Sequence, residues 1–244
     1  MDIKYNKMKE SCNMVSDAFK YIAPYVAPDI STIEINNLIE KFIFEHGGYP
    51  APLDKGFPYS TCISVNNVVC HGLPSNYILK SGDLVSIDIS IRYNGYYGDS
   101  CVSFPIGELT PRRHKLYQAS HEALWNSIKI LRDGVYTDNI GFESSQTAFK
   151  YGFDVIRDFA GHGIGTDLHM SPNIPFYSKS KNSGTKLKSG DFITIEPMLV
   201  EYKHNIYIHK DKWSAITKDN GYGSQFEHTI YITDHGYEVL TYNG

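Results

Sequence analysis

The sequence predicts an α+β domain made of two similar halves, each running helix, helix, strand, hairpin, that face one another across a pseudo-twofold axis. Three observations carry this. Residues 79–83 read LKSGD and residues 187–191 read LKSGD again, an offset of 108. Apolar residues recur at helical spacing ahead of each copy. Asn94-Gly95, a pair that favours a type I′ turn, separates two strand-like runs after the first copy.

In chain order, Met8, Cys12, Val15, Phe19 and Ile22 recur three and four residues apart, the stripe of an amphipathic helix. A second helix starts at a Ser31-x-x-Glu34 capping box, turns Ile35, Leu38, Ile39 and Phe42 to one face, and stops at Gly47-Gly48. The first LKSGD leads into Leu84-Val85-Ser86-Ile87-Asp88, and strands over 87–93 and 96–104 flank the turn. In the second half Leu116, Ala119, Ala123, Ser127 and Leu131 mark a helix. Thr137, Ile140 and Gly152 then repeat Thr32, Ile35 and Gly47 at an offset of 105. The second LKSGD leads into Phe192-Ile193-Thr194-Ile195-Glu196, so Glu196 is the counterpart of Asp88. Strands follow near 192–202, 206–210 and 226–233, and the polar run 178–185 reads as a surface loop. No linker divides the halves, about 5–110 and 111–240, of a single domain over 1–244.

Composition narrows the function. A chain of 244 residues with 41% hydrophobic and 20% charged residues can bury a sizeable core. Lys plus Arg is 23 against 27 Asp plus Glu, with no basic run to track a phosphate backbone, so nucleic acid is not the expected partner. No apolar stretch approaches bilayer length and residues 1–10 are polar, so the expectation is a cytoplasmic protein with no membrane contact. Cys12, Cys62, Cys70 and Cys101 form no C-x-x-C pair and are expected to be reduced thiols.

The chemistry lies in the acids. A two-residue turn at Asn94-Gly95 places Ser90 opposite Asp99 and Cys101 opposite Asp88. Asp88 and Ser90 share a face by the period of two, so Asp99 lies diagonal to Asp88 with Cβ atoms about 7 Å or less apart. Apolar neighbours at Ile87, Ile89 and Val102 bury this hairpin, where two like charges repel. A shared cation resolves the conflict, and Glu196, by the repeat, and Glu227, on a later strand, add ligands. A single strand Asp is more often solvated or hydrogen-bonded than ligating; four acids on apolar strands are not so easily dismissed. Among the histidines, His71 and His162 belong to the two His-Gly pairs, and His169 follows in the same loop as His162. His46, His114, His121, His204, His209, His228 and His235 lack such a setting and read as structural or exposed.

Six segments in order resemble the methionine aminopeptidases, in their short type I form with the pita-bread fold: 62–66 leading to 69–74, then Ser86-Ile87-Asp88-Ile89, Tyr97-Gly98-Asp99, Gly161-His162-Gly163-Ile164-Gly165 with His169 and Pro172, Thr194-Ile195-Glu196-Pro197-Met198, and Gln225-Phe226-Glu227-His228-Thr229. The resemblance covers nearly the whole chain. It implies a curved antiparallel sheet and two divalent metals, Co, Mn, Fe or Zn. One would be held by Asp99, His162, Glu196 and Glu227, the other by Asp88, Asp99 and Glu227. It implies that Glu196 passes a proton to the leaving amine, that His169 stabilises the oxyanion, and that His71 contacts the scissile amide. The substrate's free α-amine would bind the second metal.

The same resemblance implies removal of the initiator Met from nascent chains with a small second residue, by a monomer, with the ribosome a further candidate partner. Phe57, Cys62, Leu168 and Trp213 fall where the family builds its methionine slot, although each aromatic taken alone is more often core packing. It also implies a monovalent-cation site through backbone oxygens near Asn66 and Val68. The sequence departs from the family pattern at Phe57, Leu168, Met170 and Ala51-Pro52-Leu53-Asp54, all around the slot. Two rivals remain: an Xaa-Pro aminopeptidase or dipeptidase of the same fold, disfavoured by the short chain, and a non-catalytic binding module, disfavoured by the complete ligand set.

Overall fold

The computed structural model describes residues 3–241. Each half lays two helices against its own strands. In the first half, helices Ile3–Ile22 and Thr32–Glu45 pack on strands Cys62–Val65, Leu84–Tyr93 and Tyr96–Pro105. In the second, helices Pro111–Lys129 and Thr137–Lys150 pack on the strand layer containing Phe192–Ile195 and His228–Thr233. Each half has a main apolar core, with Val15, Ile22, Ile35, Ile39, Ile87 and Ile89 in one and Leu116, Ala123, Ile140, Ile193, Ile195 and Ile230 in the other, and a smaller cluster of Met8, Cys12, Tyr97, Ile164, Leu168 and Phe192 spans the two halves. Each main core is the buried stripe of the helices meeting the inner face of the strands, which is why helical period and strand alternation were both visible in the sequence. Among the described residues no helix is long and apolar enough to cross a membrane.

Local signals hold where the backbone needed them. The Ser31 side chain accepts from Glu34 N at 3.3 Å while the Glu34 carboxylate accepts from Ser31 N at 2.9 Å, so the capping box is formed. Asn94 and Gly95 take φ of 49° and 81°, and the hairpin pairs Ser90 with Asp99 and Asp88 with Cys101 as the turn requires. The helix carrying Leu116 ends at Lys129; Leu131 lies in the turn beyond it, its N–H on the Ile128 carbonyl. The run 192–202 is two strands, Phe192–Ile195 and Met198–Val200, in different ladders. Pro197 between them has no N–H to continue a ladder.

The LKSGD repeat is a repeat of structure. Lys80 N and Lys188 N each donate to the carboxylate three residues on, Asp83 and Asp191, at 3.0 and 2.8 Å. Gly82 and Gly190 have φ of 97° and 95°, and their N–H groups donate to Ile106 O and Ile232 O. Only glycine adopts that φ cheaply, so the motif is a turn pinned in each half against the end of a later strand. Thr32 and Thr137 are equivalent too: each donates its N–H to a later carbonyl, of Tyr77 and Thr185, and each hydroxyl accepts a backbone N–H, from Ser75 and Thr185.

Among the described residues all strand pairs run antiparallel, in four sheets. The seam between halves is stitched by Glu227 N donating to Cys101 O at 2.8 Å and Ser100 Oγ donating to Glu227 O at 2.6 Å. Thr229 Oγ1 donates to Asp99 O at 2.7 Å and accepts from Asp99 N at 3.2 Å. Asp99 of the first hairpin and Glu227, just before strand His228–Thr233, are thereby placed side by side.

Candidate metal centre

The seam opens on a cavity of about 190 Å³, walled by residues of both halves, into which Asp88, Asp99, His162, Glu196 and Glu227 all project. Asp99 comes from the hairpin and Glu227 from the residue just before strand His228–Thr233. His162 sits on the three-residue strand Gly161–Gly163, and Glu196 follows strand Phe192–Ile195. Gly161 and Gly163 allow this crowding, since a Cβ at Gly163 would lie 2.1 Å from Ser171 O and one at Gly161 2.6 Å from Thr194 O.

One ligand atom each from Asp99, His162 and Glu227 lies within 4.8 Å of the others. His162 Nε2 is 3.7 Å from Asp99 Oδ2 and 3.6 Å from Glu196 Oε1. Its Nδ1 is 3.0 Å from Gly163 O. A carbonyl only accepts, so Nδ1 carries the hydrogen, and in the neutral ring Nε2 points a bare lone pair at two carboxylates. Burial, helped by His169, pushes the His162 pKa down to about 4, so the ring is neutral at physiological pH. Lone pairs from three groups facing one another is an arrangement that a bound cation would stabilise.

The acids say the same. Burial raises Asp88 to about 7 and Glu196 to about 8. Asp99 and Glu227 are pushed well above the carboxylate range, by burial first and by the charges of the other acids second. Asp88 Oδ1 and Glu227 Oε1 are buried with no hydrogen-bond partner among the described residues. Orphaned buried carboxylate oxygens are costly, and a divalent cation supplies the missing partner. The donor set of oxygens and one imidazole suits Mn, Fe, Co or Zn, so the residues fit the implied metals.

Of the other residues singled out, His71, His169, Phe57, Cys62, Leu168 and Trp213 all line this cavity. The His169 ring meets His162 edge-on with centroids 4.5 Å apart, and His71 meets Phe159 at 5.2 Å. Burial lowers the His71 pKa to about 4 and lowers that of His169. Phe57 and Trp213 meet edge to face at 5.2 Å. The four cysteines are free and buried, and burial raises every thiol, which leaves none a ready nucleophile. Asn66 and Val68 line a second cavity, away from this one, and Asn66 O already accepts from Gly223 N at 2.8 Å. His228 turns away from Glu227 towards Thr241 Oγ1, 3.0 Å from its Nδ1.

Sequence reasoning placed Ser90 opposite Asp99 but gave no role to it, to Thr194 or to Gln225, the residues that hold the ligands. Thr194 Oγ1 donates to Glu196 Oε1 at 2.8 Å and accepts from His162 N at 2.9 Å, and Gln225 Nε2 donates to Glu196 Oε2 at 3.3 Å. Ser90 Oγ donates to Asp99 Oδ1 at 2.7 Å. The available signal was alternation: Ser90, Thr194 and Gln225 each lie two residues from a ligand and so on its face. Pro52 and Met198, which the resemblance named without giving them a role, also line the cavity, as do Lys55, Phe159 and Ala160, which no motif marked.

Residues 6–234 match the model of metallopeptidase family M24. The methionine aminopeptidase of Rickettsia prowazekii is 37% identical over 96% of this chain and 91% of its own length. The crystal structure of methionine aminopeptidase from Thermotoga maritima superposes with a TM-score of 0.96 at 34% identity, covering 100% of this chain and 98% of that one. A prolidase from Pyrococcus furiosus, at 22% identity and a TM-score of 0.80 over 65% of its length, shares the fold alone.

Proposed function

The chain belongs to metallopeptidase family M24, and we propose that it uses the buried acid cluster to remove the amino-terminal methionine from polypeptides. The observation that carries this is the cavity itself. It joins a carboxylate and imidazole cluster with unsatisfied oxygens to an apolar slot between Phe57, Cys62, Leu168 and Trp213. Asp99, His162, Glu196 and Glu227 would hold one divalent metal, and Asp88, Asp99 and Glu227 a second. Such metals supply Lewis acidity and lower the pKa of a water to near neutrality.

The chain's own groups do the rest. Glu196, held by Thr194 and Gln225, takes a proton from the attacking water and delivers it to the leaving amine. His169, beside His162, donates to the developing oxyanion, and His71 contacts the scissile amide. An unbranched thioether fits the slot, gaining sulfur-aromatic contact with Phe57 and Trp213. The second metal's site, formed by Asp88, Asp99 and Glu227, would receive the free α-amine, which restricts cutting to chain termini. Because Asp99 and Glu227 come from different halves, the reading treats both halves as one catalytic domain. It places a monomer in the cytoplasm acting on nascent chains with a small second residue, the ribosome a further candidate partner, with a monovalent cation near Asn66 and Val68.

Incubation of metal-loaded protein with Met-Ala-Ser, Leu-Ala-Ser and Ala-Pro peptides tests the assignment. Release of free Met from the first is expected; turnover of Ala-Pro peptides alone would transfer the protein to the proline-specific branch.

A further inference from the structure

Beside the cavity an ion pair joins the two halves. Lys55 Nζ donates to Asp167 Oδ1, and both flank the slot: Lys55 lines the cavity, and Asp167 is joined to the lining residues Leu168 and His169. Asp167 Oδ1 also accepts from Leu168 N at 2.7 Å, and Asp167 O accepts from Gly165 N at 3.1 Å. The carboxylate therefore holds Leu168 at the slot wall, and Lys55 holds the carboxylate. On the other side Lys55 closes a one-turn helix, Ala51–Asp54, its N–H on Pro52 O at 3.0 Å. The preceding residue, Asp54, is anchored to the hairpin by Arg92 Nε at 2.8 Å and Tyr97 OH at 3.0 Å. Adjacent residues of opposite charge thus fix this segment to the first half and clasp it to the second.

We propose that the Lys55–Asp167 pair determines side-chain specificity by holding Leu168 over the slot, so that the entrance admits an unbranched apolar first residue and resists a branched one. This rests on the methionine-removing reading above. The pair lies outside the ligand cluster, so it acts first on substrate fit; its two opposite charges also face His169 and offset one another there. Lys55 and Asp167 are positioning residues, acting through Leu168. Both side chains are part-exposed, 34% and 53%, so the effect is that of a rim ion pair, about fivefold at most for each partner.

The test is steady-state kinetics of the metal-loaded enzyme and of Lys55→Met, Asp167→Asn, the double variant and Lys55→Arg, on Met-Ala-Ser and Leu-Ala-Ser. Expected are a rise in KM for the Met peptide of up to about fivefold in each single variant, larger than any change in kcat, and a smaller preference for Met over Leu. The double variant should be no worse than either single one, and Lys55→Arg should restore KM. Salt should raise KM in the parent and not in the double variant. Unchanged KM and selectivity in both single variants, a loss confined to kcat, or additive effects in the double variant would overturn the clasp. If the parent itself fails to release Met, the functional reading falls instead, so the two failures are told apart.

Discussion

His162 Nε2 lies 3.7 Å from Asp99 Oδ2, although the two residues stand on opposite halves of a duplicated chain. Neither half can assemble this contact alone. Each delivers its ligand on a buried strand, and the stitched seam between Cys101 and Glu227 sets the gap. The gap is too wide for a hydrogen bond and suited to an ion between them.

Metal removal should destabilise the protein in a pH-dependent way. Asp88, raised from 3.8 to about 7, and Glu196, raised from 4.5 to about 8, are neutral in the folded metal-free state at low pH. A raised folded pKa contributes stability that is full below the unfolded value and lost as pH climbs through the folded one. Metal-free protein should therefore lose stability between about pH 4 and pH 8. Metal-loaded protein should not, because the cation balances the charges. Thermal melting with and without chelator checks this: the gap in Tm should widen from pH 5.5 to pH 8, and a constant gap would remove these acids from the metal site.

Asp88→Asn removes one charge from the cluster and one metal-facing oxygen. Metal affinity and activity should fall by at least about tenfold to a hundredfold, the range seen even for groups that merely orient ligands. The chelated variant should melt no lower than the chelated parent, since a buried, unpaired carboxylate oxygen has been relieved. Metal titration by calorimetry, paired with melting of the chelated forms, separates lost affinity from lost fold.

Thr194→Val keeps the shape and deletes a hydroxyl that serves Glu196 and His162 together. Loss of the bond to Glu196 removes an influence that lowers its pKa, so the carboxyl should titrate still higher. The expected result is a fall in kcat, with its acid limb moved to higher pH. The buried His162 N–H is left unsatisfied, a cost of about 1–3 kcal/mol in urea unfolding. An unmoved pH profile would take the proton-transfer role from Glu196.

Asp211 holds the loop that presents Trp213. Burial pushes its carboxyl up, but bonds from Trp213 N and Ser214 N at 2.9 Å, from Ser214 Oγ at 2.7 Å and with His209 hold it down to about 2. A depressed folded pKa contributes stability present above the unfolded value near 3.8 and lost as pH falls through about 2. Asp211→Ala should cost about 1–2 kcal/mol at neutral pH, with the difference from the parent shrinking below pH 3. Because Trp213 packs edge-on against Phe57, KM for a Met peptide should rise while metal affinity stays the same. A variant with parental KM would mean that Trp213 does not wall the slot.

Much of this was legible in the chain. The LKSGD copies announced the duplication because a turn that needs glycine at positive φ and a carboxylate three residues on tolerates little change. Asn94-Gly95 fixed the register that pairs Ser90 with Asp99, and with it the face shared by Asp88 and Asp99. These are local rules: turn chemistry, strand alternation and helical period act over a few residues, and a sequence states them directly.

Tertiary structure alone decided what met across the seam. That Gly163 nests against Ser171, that Thr194 serves a histidine 32 residues before it, and that Lys55 finds Asp167 across 112 residues are outcomes of packing two halves together. No periodicity encodes such pairs, because they depend on how two independently satisfied layers dock. The sequence determined which side chains each half would offer to the cavity, and the docking of the halves determined their distances, their protonation and which rim residues close over the slot.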